Sequence, residues 1–232
     1  MHKKFFIGLI FFILISVIQP VLAWDVKTTD ELQSRMNSVG FRILNTNRIE
    51  KRFTFMAINR VYTRDFWTDV SSVNRIVWVK PVVIPYIDND DELAAILSHS
   101  LAHGVDTYEG ALRGYVSILN YWVAPNKYDL KADKTAVDFM VNAGYNPLAL
   151  IAILNKIGKQ YRFDAFSNHT LVSRRMMLVY EYIYTKYPSI LVENEYKDNV
   201  YYQNFLLTSR NNRMKLLEKV KSGTTKKINY TY

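Results

Sequence analysis

His99 and His103 stand four residues apart in the segment His99-Ser100-Leu101-Ala102-His103. An α-helix has 3.6 residues per turn, so this spacing puts both imidazoles on one face, at metal-chelating separation. The chain holds four histidines in all and no cysteine. Thiolate zinc sites, iron–sulfur clusters, a cysteine nucleophile and a disulfide scaffold are therefore excluded. Any metal must be held by His, Asp or Glu. The other role open to the pair is purely structural: two partly buried histidines bonded to backbone.

The helix that positions the pair is well marked. Asn89 to Glu92 fits a capping box, with a side-chain acceptor at the cap and a Glu three residues later. Leu93, Ile96, Leu97 and Leu101 then form one apolar stripe running to about Val105. A second helix is predicted from about Tyr128 to Ala143, ended by Gly144, which tolerates the left-handed conformation of a C-terminal cap. Asn146-Pro147 opens a third over 147–158. Others are predicted over about Thr170–Lys186, stopping before Pro188, and over Thr208–Lys221. Upstream, Leu32, Met36, Val39 and Ile43 recur at helical spacing and predict an amphipathic helix near 29–44. Only residues 53–87 are rich in β-branched and aromatic side chains, which predicts two to four short strands.

With 232 residues, 49% of them hydrophobic, the chain buries a core as one domain, or as one domain with an appendage. Lys3 and Lys4, the apolar run Phe5–Ile18, the break at Gln19-Pro20 and Val21-Leu22-Ala23 read as a secretory signal over 1–23, cleaved after Ala23. The alternative is an uncleaved anchor, although the run is short for a span of ~20 apolar residues. The protein is thus expected to be exported, to the periplasm or outside the cell. The formal net charge is +9, and losing the signal removes only Lys3 and Lys4 from that surplus. Such a balance is first of all that of a solvated basic surface, and otherwise suits anionic membrane or cell-wall surfaces, or acidic partners. The basic residues are spread along the chain and no nucleic-acid-binding module is present, so nucleic acid is not an expected partner. Residues 24–221 form the main domain, and 222–232 are read as a basic tail that frays.

Four blocks, in order over roughly residues 50–185, resemble a known family. Asp91-Glu92-Leu93-Ala94-Ala95-Ile96-Leu97-Ser98-His99-Ser100-Leu101-Ala102-His103-Gly104 looks like the DELAAVLAHELAHV helix of the gluzincin metallopeptidases of the CAAX-prenyl-protease, HtpX and BepA type. Tyr128–Val137, with Ala132-Asp133, is similar to that family's E-x-E-A-D helix. Ala143-Gly144-Tyr145-Asn146-Pro147 resembles its AGYDP turn. Ser167-Asn168-His169-Thr170, followed by Arg175, resembles its S-T-H-P…R loop. The resemblance implies an α+β fold, zincin-like and mainly helical with a small mixed β-sheet. It implies peptide-bond hydrolysis at a zinc held by His99, His103 and, four residues before Asp133, Asp129. In relatives Asp133 would orient a zinc histidine; a helix-surface charge is the other reading. His169 and Arg175 would reach the metal pocket, His169 as a further ligand and Arg175 beside an oxyanion. Otherwise they are a loop histidine and a solvated helix arginine.

Two departures alter the expected function. The family's general-base Glu follows the first histidine, and here that position is Ser100. A serine hydroxyl is no base at neutral pH, and losing a positioned base costs ~10²–10⁴-fold in rate. Glu92 lies seven residues before His99, and Glu109 lies beyond the helix's expected end, so neither fills the slot by adjacency. The family's Asn-Ala edge-strand motif, which docks extended substrate, also has no counterpart among residues 55–80. The expectation is a catalytically impaired peptidase that binds zinc and a polypeptide substrate or client protein. The alternatives are an active zinc endopeptidase with a displaced base, and a metal-free interaction module.

Overall fold

The structure is a computed structural model that describes residues 26–57, 69–71, 75–79, 81–107, 125–158 and 172–230. The expected signal over 1–23, Glu109 and the loop carrying His169 lie outside the described residues. The chain is α+β and mainly helical, with one small mixed sheet. Its elements are α1 (Val26–Thr46), β1 (Thr54–Ala57), β2 (Asp69–Ser71), β3 (Ile76–Val79), a 3-10 turn (Pro81–Tyr86), α2 (Asp90–Thr107), α3 (Pro125–Asn142), α4 (Leu148–Ile157), α5 (Val172–Lys186), α6 (Pro188–Val192), α7 (Val200–Thr208) and α8 (Arg210–Ser222).

The strand order is β1-β3-β2. β1 runs parallel to β3 with Thr54 opposite Ile76, and β2 runs antiparallel to it with Asp69 opposite Trp78. Alternation along β3 sends Val77 and Val79 into the core, and Phe55 of β1 joins them. The outer edge of β1 is closed by one side chain. The Gln33 amide on α1 donates to the Phe55 carbonyl (2.8 Å) and accepts from the Ala57 N–H (2.9 Å), as a neighbouring strand's peptide would.

α1 buries Leu32, Met36, Val39 and Ile43, the stripe its sequence marks. α4 is apolar nearly all round and lies at the centre, with residues from Leu148 to Leu154 all buried. α2 packs along α3, and also against α1, α4 and the sheet, so the helix bearing the histidine pair is fixed on several sides. Its N-terminus follows the capping pattern: the Glu92 N–H donates to Asn89 Oδ1 (2.9 Å), and Glu92 Oε2 accepts from the Asp88 N–H (2.8 Å). α3 ends at Gly144, whose φ of +72° suits a residue without Cβ; the Tyr145 N–H then reaches back to the Met140 carbonyl (2.9 Å).

Three differences from the sequence reading stand out. α4 starts one residue later than expected, with Asn146 Oδ1 accepting from the Leu148 N–H (3.0 Å). α6 and α7 are helices over segments where the sequence predicts none. The C-terminal segment does not simply fray: Tyr230 is buried and its hydroxyl donates to Glu181 Oε2 (2.7 Å) on α5.

Candidate metal centre

α2 and α3 lie side by side, and their facing residues build the site. On α2, His99 and His103 project together, with Nε2 atoms 3.2 Å apart. On α3, the four-residue spacing of Asp129 and Asp133 puts both carboxylates on one face, towards α2. Asp129 Oδ1 lies 3.4 Å from His103 Nε2. Asp133 Oδ1 lies 2.9 Å from His99 Nδ1. One donor atom from each of His99, His103 and Asp129 falls within 4.8 Å of the other two.

These distances suit a single cation. Donors about 2.0–2.1 Å from a tetrahedral ion stand about 3.3 Å from one another. The His99–His103 and His103–Asp129 separations match that edge. Two neutral imidazoles and one carboxylate are also an appropriate donor set for zinc. The group is largely buried, with Asp129 and His99 below the surface and His103 half-exposed.

Asp133 is 1% exposed, not a charge on the helix surface. Arg175 on α5 grips both its oxygens, from Nε to Oδ2 (2.8 Å) and from a terminal nitrogen to Oδ1 (2.7 Å). Burial by itself would raise the Asp133 carboxyl, but the Arg175 guanidinium and then His99 outweigh it and hold the pKa at about 2. The carboxylate therefore stays charged, facing His99 Nδ1. With Nδ1 towards this carboxylate, Nε2 is the ring nitrogen on the His103 side, 3.2 Å from His103 Nε2, and the one that would meet a cation. Burial also pushes the His99 pKa down, against the pull of Asp133, which favours the neutral, ligating imidazole.

Arg175 is placed differently from the solvated reading. It is not a solvated helix arginine, because its guanidinium is buried in a two-pronged contact with Asp133. A signal for this exists in the sequence: Val172, Arg175, Met176, Val179 and Ile183 share the buried stripe of α5, and Arg175 is its one charged member. Lys131 points elsewhere and pairs with Asp106 near the end of α2. Ser100 is buried beside His99. Glu92 is committed to Lys156 at the far end of α2, with Nζ–oxygen distances of 2.6 and 2.8 Å. His169 lies outside the described residues.

In comparisons with known proteins, no family model, curated protein or solved structure matches the chain.

Proposed function

We propose that this chain is an exported, zincin-like metallopeptidase relative that binds zinc through His99, His103 and Asp129 but hydrolyses peptides poorly or not at all. It would then act as a binding module for polypeptide partners. The observation that carries this reading is the three-donor cluster on α2 and α3, backed by Asp133 against His99 Nδ1. Bound zinc would polarise a water and lower its pKa towards ~7. A peptidase needs in addition a carboxylate that takes up the water's proton and passes it to the leaving amine. Ser100 occupies the position from which the resembling family supplies it, and a hydroxyl cannot serve. Asp133 is no substitute, since Arg175 and His99 occupy its oxygens.

Two measurements test the reading. Elemental analysis of protein purified without added metal should find zinc, near one per chain, and none in His99→Ala. Stoichiometric iron would overturn the zinc assignment, because two histidines and a carboxylate also suit ferrous iron. Wild-type protein should leave casein uncleaved, and Ser100→Glu should gain chelator-sensitive cleavage. Casein hydrolysis by wild type, stopped by chelator, would show an active enzyme with a displaced base. Absence of any metal would favour the metal-free interaction module.

A further inference from the structure

α8 has an outer face that no part of the described chain covers. Its inner face is fixed: Asn212 and Leu216 are buried, and Lys219 pairs with Glu181 of α5 (2.9 Å). On the opposite side Arg210, Met214, Leu217 and Lys221 follow the i, i+4, i+7, i+11 spacing of a single straight stripe. All four are exposed; Met214 is 52% exposed, and Leu207, just before this helix, reaches 76%. Val220 flanks the stripe, and Lys226 and Lys227 extend the basic character into the exposed segment beyond Gly223. Glu218 is the one acidic residue from 210 to the C-terminus.

Apolar side chains interleaved with cations on the outward face of a surface helix match the water–lipid boundary, where the apolar residues enter the headgroup region and the cations stay level with phosphate. An acidic polymer in water would draw on the charges alone and leave Leu207, Met214 and Leu217 wet. A second copy of the chain would bring the same cations against each other. We infer that the α8 face, with Leu207 before it and Lys226-Lys227 after it, docks on an anionic phospholipid surface.

The absence of cysteine allows a site-specific test on the full chain. A single Leu217→Cys carries an environment-sensitive fluorophore, which reports on this face whatever residues 1–25 do. Its emission should shift to the blue with equimolar phosphatidylglycerol–phosphatidylcholine vesicles and stay unchanged with phosphatidylcholine alone. High salt should weaken the response. Adding Arg210→Gln and Lys221→Gln should lower the partition coefficient about 25-fold, at about fivefold per charge. Both positions are exposed, so thermal melting should not move. No shift with the acidic vesicles, an equal shift with both lipids, or a shift that grows with protein concentration in the absence of vesicles would each overturn the inference, the last in favour of self-association.

Discussion

Arg175 and Asp133 form a buried ion pair beside His99. The carboxylate is charged, held from behind, and 2.9 Å from His99 Nδ1. Asp133→Asn keeps the shape but removes the charge. Loss of such an outer partner typically weakens a metal site 10–100-fold, so zinc affinity measured by competition with a chelating dye should fall by about that factor. Arg175 would also be left buried without its counter-charge, at a cost of about 3 kcal/mol in chemical denaturation. If stability falls while zinc affinity does not, the pair is structural and does not orient the ligand. The histidine pair is legible from its spacing, and the structure brings to it Asp129, which the sequence offers only through a resemblance. The Asp133–Arg175 contact is not legible. The apolar stripe of α5 marks Arg175 as a charge on a buried face, but its partner lies on another helix, and no local pattern names Asp133.

At the scale of elements, the readable helices are those with both a stripe and a cap. α2 has both, and the structure adds a partner that its cap signal does not reveal. The Lys156 side chain from α4 reaches Glu92 and Asp88 (2.6 Å to each), tying the start of the site helix to the central helix. Burial disfavours the Lys156 cation, but its hydrogen bonds to Asp88 and Glu92 more than compensate, and its pKa is raised. A lysine whose folded pKa is raised contributes stability that is fully present below its unfolded value and lost as pH climbs through the folded one. Glu92→Gln should therefore lower stability in denaturant at neutral pH, by less than the ~3 kcal/mol of a fully broken buried pair, because Asp88 still holds Lys156. The gap between wild type and variant should narrow as pH rises above about 10.4. A gap independent of pH up to the alkaline limit would mean that Glu92 acts through the cap alone. α7 escaped the sequence reading because it is short and its apolar residues form no stripe. Its one signal is Asn199, whose side chain accepts from the Tyr201 and Tyr202 N–H groups (3.0 Å each). Asn199→Ala should lower stability by about 1 kcal/mol, and Asn199→Asp should restore most of it.

For the whole molecule, the site joins three helices far apart in sequence: α2 through the histidines, α3 through the aspartates and α5 through Arg175. A cation held by His99, His103 and Asp129 would link α2 to α3 across a main packing contact of the fold. The unfolded chain lacks this convergence, so zinc should bind the folded state preferentially and stabilise the entire structure. With free zinc at a hundred times Kd, mass action supplies about 2.7 kcal/mol. For a chain of this size that corresponds to a rise in Tm of roughly 5–10 °C. The rise should be seen on titrating zinc into chelator-treated wild type and should vanish in His99→Ala and Asp129→Ala. In Ser100→Glu it should persist, because that position is assigned to proton transfer and not to holding the metal. A zinc-independent Tm in wild type would remove the metal from the fold and leave the α2–α3 cluster as a buried polar contact. Retention of the full rise in His99→Ala would place the cation elsewhere on the chain.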